Sequence, residues 1–169
     1  MGRLALTAVG VAVVLLTLAG LAAGAFIASG FYNIGADDHH TAPVLALIGE
    51  LRERSIARRA RELAVPDLSA AALIGAGAHR YAALCVSCHL APGVSHSDLR
   101  PGLYPHPPNL AQQAPPDPRR SFWIIKHGIK MSAMPAWGKT LDDGAVWELV
   151  AFLREMPDLT PQRYEALSR

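Results

Sequence analysis

The sequence predicts an all-α protein in which one N-terminal transmembrane helix and one juxtamembrane helix precede a small helical domain. Three observations lead to this prediction. No charged residue occurs between Arg3 and Asp37, so this stretch can cross a membrane. Apolar residues recur every three or four positions in residues 69–88 and 142–156, which is the period of an amphipathic helix. Eight of the thirteen prolines fall within residues 92–118, where they prevent a continuous helix or a central strand.

The N-terminal apolar segment is long enough to span a membrane. As a helix, Leu4 to Ile27 would measure about 36 Å, against about 30 Å for the hydrocarbon core. A cleavable secretion signal has an apolar core of only about 7–15 residues, so we expect a retained anchor over residues 1–30, although the small residues 23–25 would fit a cleavage site. Because Arg3 and the amino terminus are positive, the N-terminus is expected on the cytoplasmic side.

Residues 31–66 are predicted to form a juxtamembrane linker and an amphipathic helix. Thr41 would cap a helix from Ala42 to about Ala64, with Pro43 in its first turn. Its polar side carries five arginines and three glutamates. Such a helix is a solvated linker with internal ion pairs, or it lies on an anionic membrane surface or docks on a partner subunit. Its apolar side comprises Val44, Leu47, Ile48, Leu51, Ile56, Ala60 and Leu63.

Residues 85–89 read Cys-Val-Ser-Cys-His and contain both cysteines of the chain. Two thiols at this spacing can each add to one vinyl group of a haem, and the next residue supplies an imidazole for the iron. The alternatives are a thioredoxin-like redox pair or half of a zinc site. However, no βαβ pattern is visible, and no second cysteine pair exists. The motif therefore predicts one covalent haem c, attached by Cys85 and Cys88 and ligated by His89.

Met134 is predicted to be the second iron ligand. A thioether is a soft ligand suited to haem iron, and Met/His ligation raises the reduction potential. Pro135 biases Met134 towards an extended backbone in a loop, whereas Met131 lies closer to the end of a predicted helix. The alternative is that Met134 fills the core and the iron is five-coordinate or bound by a second imidazole. The spare histidines are His79, His96, His106 and His127.

The helices that follow the motif have clear start and stop signals. Asp117 would cap a helix that Pro118 begins and Gly128 ends. Pro157 would end the helix over residues 142–156. We therefore expect one helical domain over residues 67–158 and a tail over residues 159–169.

Three motifs together resemble a class I cytochrome c. They are Cys85 to His89, the run Pro108-Asn109-Leu110, and the run Met134-Pro135-Ala136-Trp137. The resemblance covers roughly residues 68–158. It implies a small α-helical domain wrapped around one haem, with an electron-transfer role.

The resemblance also implies individual contacts. The carbonyl of Pro108 would accept the Nδ1 proton of His89, and Trp137 would belong to the cofactor site. The first and last helices of the domain would cross near a small residue and an aromatic one, for which Gly77 and either Trp147 or Tyr81 are the candidates.

These observations predict a membrane-anchored monohaem cytochrome c that carries single electrons between respiratory-chain components. Since the bacterial haem-attachment machinery works outside the cytoplasmic membrane, the haem domain is expected in the periplasm, anchored to the inner membrane. A fixed subunit of a larger membrane oxidoreductase is the alternative. A mobile helix over residues 42–64 favours the carrier, and a docked one favours the subunit. Catalysis or gas sensing would need an open iron site, which Met134 argues against.

The charge pattern bears on the partners of the protein. The net charge is +2, and no basic domain indicates nucleic-acid binding. Residues 117–140 contain five basic residues and one acidic residue, which predicts a positive docking rim beside Met134 for an acidic redox partner.

Overall fold

The computed structural model describes residues 2–169, and within them it is helical with no strand. The chain divides into two compact units, Met1–Asp38 and His39–Arg169. The first unit contains one α-helix and the second contains six. They are α1 (Gly2–Ala28), α2 (Ala42–Ala60), α3 (Ala71–Leu84), α4 (Val86–His89), α5 (Pro118–His127), α6 (Asp143–Glu155) and α7 (Pro161–Ser168).

Helix α1 is an apolar helix of 27 residues with no buried side chain. Its two threonines bond to the helix itself, because the hydroxyls of Thr7 and Thr17 donate to the carbonyls of Arg3 and Val13 at 2.9 Å. These bonds leave the outer surface of the helix apolar. Among the helices of residues 2–169, α1 is the one with the length and composition to cross a membrane.

The second unit is built on close packing of α3 against α6. A Cβ atom added at Gly77 would lie 2.0 Å from the backbone oxygen of Glu148 and 2.8 Å from Cβ of Phe152. Only glycine lets the two helices approach this closely. The helix crossing near Gly77 that the resemblance implies is therefore present.

Of the two aromatic candidates for this crossing, Tyr81 is the one that lies there. The ring of Tyr81 lies 5.3 Å from that of Phe152, and both residues are buried. Trp147 instead stacks on Phe122 at 4.2 Å, which joins α6 to α5. Phe152 and Trp147 both lie on α6, but the five positions that separate them correspond to about 1.4 turns, so the two rings lie on different faces of the helix.

Local capping determines both ends of α5 and the start of α6. The Asp117 carboxylate accepts the Arg119 N–H at 2.9 Å, and Gly128 ends α5 with φ at 66°. Helix α6 begins one residue after Asp142, whose carboxylate accepts the Ala145 N–H at 2.8 Å. The helix predicted over residues 69–88 is divided at Cys85 into α3 and α4.

Helix α2 packs on α5, within the same compact unit as the haem-motif helices. Ile56 and Ala60 are buried at 2% and 1% exposure, whereas Leu47 and Leu51 are 72% and 68% exposed. The predicted apolar face is thus fully buried only in its C-terminal half, while Val44 and Ile48 are half-buried. The region predicted as a juxtamembrane linker, from residue 39 onwards, forms part of the helical unit.

The C-terminal residues, predicted to be a tail, form helix α7. The Thr160 hydroxyl caps it by accepting the Arg163 N–H at 3.2 Å. Tyr164 is 8% exposed, belongs to the core cluster and lies 6.1 Å from the ring of Phe152. The helical unit therefore extends beyond the predicted boundary at residue 158. The sequence did not predict this helix, because a single buried aromatic residue gives no recognisable helical period.

Candidate functional site

The second unit contains a cavity of about 670 Å³. Its volume lies within the range of about 300–1,000 Å³ that is typical of small-molecule and cofactor sites. Most of its wall is apolar, with side chains such as Ile56, Leu84, Ile125 and Leu153. The side chains predicted from the sequence to serve a cofactor all line it. They are Cys85, Cys88, His89, Pro108, Met134 and Trp137.

The local backbone turns both cysteines towards this cavity. The Cys85 N–H donates to Tyr81 at the end of α3, and the His89 N–H donates to the Cys85 carbonyl at 2.9 Å, which closes the single turn α4. Leu90 then leaves the turn with φ at 61°. Burial, together with the neighbouring Cys88, raises the pKa of the Cys85 thiol to about 12. An unattached Cys85 is therefore a protonated thiol at neutral pH.

The ring of His89 is oriented by a backbone carbonyl. Its Nδ1 lies 3.0 Å from the oxygen of Pro108, the contact that the resemblance implies. Because a carbonyl can only accept, Nδ1 carries the proton and Nε2 keeps a lone pair for a metal. Burial lowers the pKa of His89 despite the opposing effect of the Pro108 bond. The neutral ring is the form that ligates iron.

The proline-rich segment between α4 and α5 forms one wall of the cavity. It is joined to the motif by the Leu110 N–H, which donates to the His89 carbonyl at 3.2 Å. Within the segment, Nη2 of Arg100 donates to the Pro107 carbonyl at 2.7 Å. These bonds hold the Pro108 carbonyl against the imidazole without any regular secondary structure.

Met134 reaches the cavity from a loop between α5 and α6. Its carbonyl accepts the Ile129 N–H at 3.1 Å, and its own N–H donates to the Ser132 hydroxyl at 3.2 Å. Its side chain is half-buried and lines the cavity. Met131 does not line the cavity and is 81% exposed. Of the two candidate methionines, Met134 is therefore the one placed to meet a cofactor.

The spare histidines are placed less suitably for a second iron ligand. His79, His96 and His127 do not line the cavity, whereas His106 does. His106 lies two residues before Pro108, in the same segment that holds His89, so it is less well placed than Met134 to be the second ligand. A zinc site also lacks support, since no group of three or more histidine, cysteine or acidic side chains with a metal-binding arrangement occurs within residues 2–169.

Helix α2 contributes cavity residues that the sequence did not indicate. Arg52, Glu53 and Ile56 line the cavity beside the cysteines. The sequence predicted part of the buried face of α2, because Ile56 belongs to the predicted apolar side. Nothing in the local sequence shows that this side faces a cofactor, since the contact joins residues far apart in the chain.

The donor set fits haem c: two thiols, one imidazole with a free Nε2 and one thioether surround an apolar cavity. The fold and this arrangement define a class I c-type cytochrome domain, an electron-transfer protein whose cofactor is covalently bound haem c. Residues 72–153 match the family model described as cytochrome C oxidase, cbb3-type, subunit III. This family match extends from α3 into α6. Comparisons with curated proteins and with solved structures found no match.

Proposed function

We propose that this protein is a membrane-anchored monohaem cytochrome c that carries single electrons in the periplasm between respiratory-chain components. The observation that carries the proposal is the convergence of Cys85, Cys88, His89 and Met134 on one cavity. In this proposal, the cysteines attach the haem, and Nε2 of His89 and the sulfur of Met134 hold the iron. Two protein ligands favour electron transfer over gas binding or catalysis, so we infer that the chain is not itself an enzyme.

The anchor and the location rest on α1. This helix is uncharged beyond Arg3, and the positive charge of Arg3 lies in its first turn. The haem site lies wholly within the unit His39–Arg169, which is compact without α1, and this supports a haem domain distinct from the anchor. The haem iron supplies the one-electron couple, and the protein supplies ligands, burial and a docking surface.

The anchor has a direct test. The full chain should stay with the membrane fraction after a high-salt wash, because salt screens surface charges but does not extract a spanning helix. A variant in which a cleavable secretion signal replaces residues 1–28 should release the haem domain into the soluble fraction. Mass spectrometry of the mature protein measures the same property. A chain that begins near Phe26 would contradict the anchor and leave a soluble carrier.

The basic rim beside Met134 is smaller than the sequence indicates. Three of its five basic side chains form ion pairs: Arg119 with Asp117, Arg120 with Glu53, and Lys126 with Asp143. Among the described residues, Lys130 and Lys139 have no such partner, and both are exposed. These two lysines flank the Met134 loop in the sequence and are the charges best placed to steer an acidic partner.

Reversing these charges tests the docking surface. The double variant Lys130→Glu/Lys139→Glu should slow electron transfer to a soluble acidic acceptor at low salt, because encounter depends on long-range attraction. The defect should shrink as the screening length falls from about 30 Å at 0.01 M to about 8 Å at 0.15 M. Stopped-flow measurement of haem oxidation gives the rates.

A charge-matched control variant is Arg154→Glu/Arg163→Glu, which alters two exposed arginines of α6 and α7. It should keep most of the rate. Equal rates for both double variants would contradict the docking surface, and so would a defect that does not change with salt.

A fixed subunit of a larger membrane oxidoreductase is the second candidate. Three observations favour it: the oxidase-subunit description of the matching family, the packing of α2 on α5, and the exposed side chains of Leu47 and Leu51 on α2. Purification in mild detergent separates the two candidates. A subunit should co-purify with defined partner chains, and the lysine reversal should then weaken assembly. A tethered carrier should be recovered without stoichiometric partners.

A further inference from the structure

Helix α2 lies outside the region that matches the family model, yet it is part of the haem enclosure. The match begins at residue 72, whereas α2 ends at Ala60. Two interactions hold α2 in place. Ile56 and Ala60 are almost fully buried, and the Arg120 guanidinium of α5 forms an ion pair with Glu53. The three α2 side chains at the cavity are therefore fixed to the haem domain.

Among these three side chains, Arg52 is the one that carries a positive charge. It is the single lysine or arginine among the cavity-lining residues that the structure describes. Haem c has two carboxylates in addition to the vinyl groups that form the thioethers. A carboxylate that is partly withdrawn from water is stabilised by a cation or by several hydrogen-bond donors. A guanidinium provides both, since its planar donor edge matches a carboxylate in geometry.

The guanidinium of Arg52 is oriented in a way that leaves this edge available. Its Nε donates to one oxygen of Glu53 at 3.0 Å, and the other oxygen of Glu53 accepts from Arg120. The two terminal nitrogens of Arg52 have no partner among residues 2–169. The side chain is 38% exposed, so it lies at the rim of the cavity.

Glu53 keeps its charge in this cluster. Burial alone would raise its pKa, but hydrogen bonds from Arg52 and Arg120 lower it below the usual value. Two arginines and one carboxylate leave one positive charge, which one haem carboxylate would balance.

We propose that the terminal nitrogens of Arg52 bind a carboxylate of the haem, and that the Glu53–Arg120 ion pair positions Arg52 for this contact. Helix α2 then belongs to the cofactor site of the helical unit. This inference depends on the haem site alone. It is independent of the membrane anchor and of the identity of any redox partner.

The proposal predicts an effect on the haem couple. A carboxylate that loses its guanidinium leaves an uncompensated negative charge near the iron, which favours the oxidised haem. In Arg52→Gln, the ratio of reduced to oxidised protein at a fixed ambient potential should fall about three- to tenfold. A tenfold change corresponds to about 59 mV for a one-electron couple.

The experiment is a redox titration of the full-length, haem-loaded protein in detergent. Arg54→Gln is the matched control, because Arg54 lies on the same helix, loses the same charge and is 80% exposed. Arg54→Gln should change the ratio of reduced to oxidised protein by less than about twofold, since an exposed charge is strongly screened. Arg52→Lys retains the positive charge and should keep most of the wild-type ratio.

A second measurement addresses the contact itself. The resonance Raman bending band of the haem carboxylates responds to hydrogen bonding. It should shift in both Arg52→Gln and Arg52→Lys, because lysine lacks the planar donor edge, and stay unchanged in Arg54→Gln. Arg52→Lys keeps the test decisive if Arg52→Gln retains too little haem. Equal redox shifts for Arg52→Gln and Arg54→Gln would overturn the proposal, and so would an unshifted band in the Arg52 variants.

Discussion

Replacing Met134 by alanine should lower the reduction potential of the haem by a sizeable part of the ~0.8 V range that axial ligands command. The thioether of Met134 lines the cavity together with His89, and a methionine ligand stabilises the reduced iron relative to water or an imidazole. The oxidised protein should also lose the weak methionine–iron charge-transfer band in the far red. Potentiometric titration monitored by absorption measures both quantities.

Met131→Ala is the control for this experiment. Met131 is three residues away in the same loop, is 81% exposed and does not line the cavity. Its replacement should change neither the potential nor the band. If the Met131 variant lost the band while the Met134 variant kept it, the ligand assignment would have to be exchanged.

The substitution Gly77→Ala should strongly destabilise the haem domain. The added methyl group would lie 2.0 Å from the Glu148 carbonyl oxygen, and this oxygen belongs to the backbone of α6 and cannot rotate away. Helices α3 and α6 would have to separate. Overpacking of this kind costs about 1–3 kcal/mol and sometimes more. We expect a loss at the upper end of this range, about 3 kcal/mol, because a helix rather than a side chain must shift.

Gly75→Ala tests whether the loss of stability comes from the close approach of α3 to α6. Gly75 lies in the same helix, and an added Cβ there would have nothing within 4 Å. Alanine at this position should increase stability by about 0.5–1 kcal/mol, because it favours the helix. Guanidinium unfolding of the haem-loaded protein, followed by circular dichroism, compares the two variants. Similar midpoints for both would refute the packing argument.

The sequence predicted those parts of the fold that depend on neighbouring residues. Asp117 and Gly128 define α5 because a cap and a left-handed stop act within one turn of the helix. The spacing of Cys85, Cys88 and His89 specifies haem attachment and ligation within five residues. The class of fold and the haem cofactor could therefore be inferred before any tertiary contact was known.

The contacts between distant segments could not be predicted in the same way. Leu47 and Leu51 are as apolar as Ile56, and only the position of α5 decides that Ile56 is buried while the leucines are exposed. Arg120 looks like a surface charge of a docking rim until Glu53 is found opposite it, 67 residues away in the chain. The number of unpaired charges in the basic rim and the contribution of α2 to the cavity both depend on such pairings.

The hydrogen bonds around His89 bear on the speed of electron transfer. The imidazole is held by Pro108, and the backbone of His89 by Cys85 and Leu110. The next residue along, Leu90, accepts the buried hydroxyl of Tyr81 at 2.7 Å, which ties the turn to the helix core. A ligand fixed from both the loop and the core moves little when the iron changes charge, so little energy is needed to rearrange the site. We therefore expect the distance to the docked partner, rather than motion of the ligands, to limit the rate of each electron's passage.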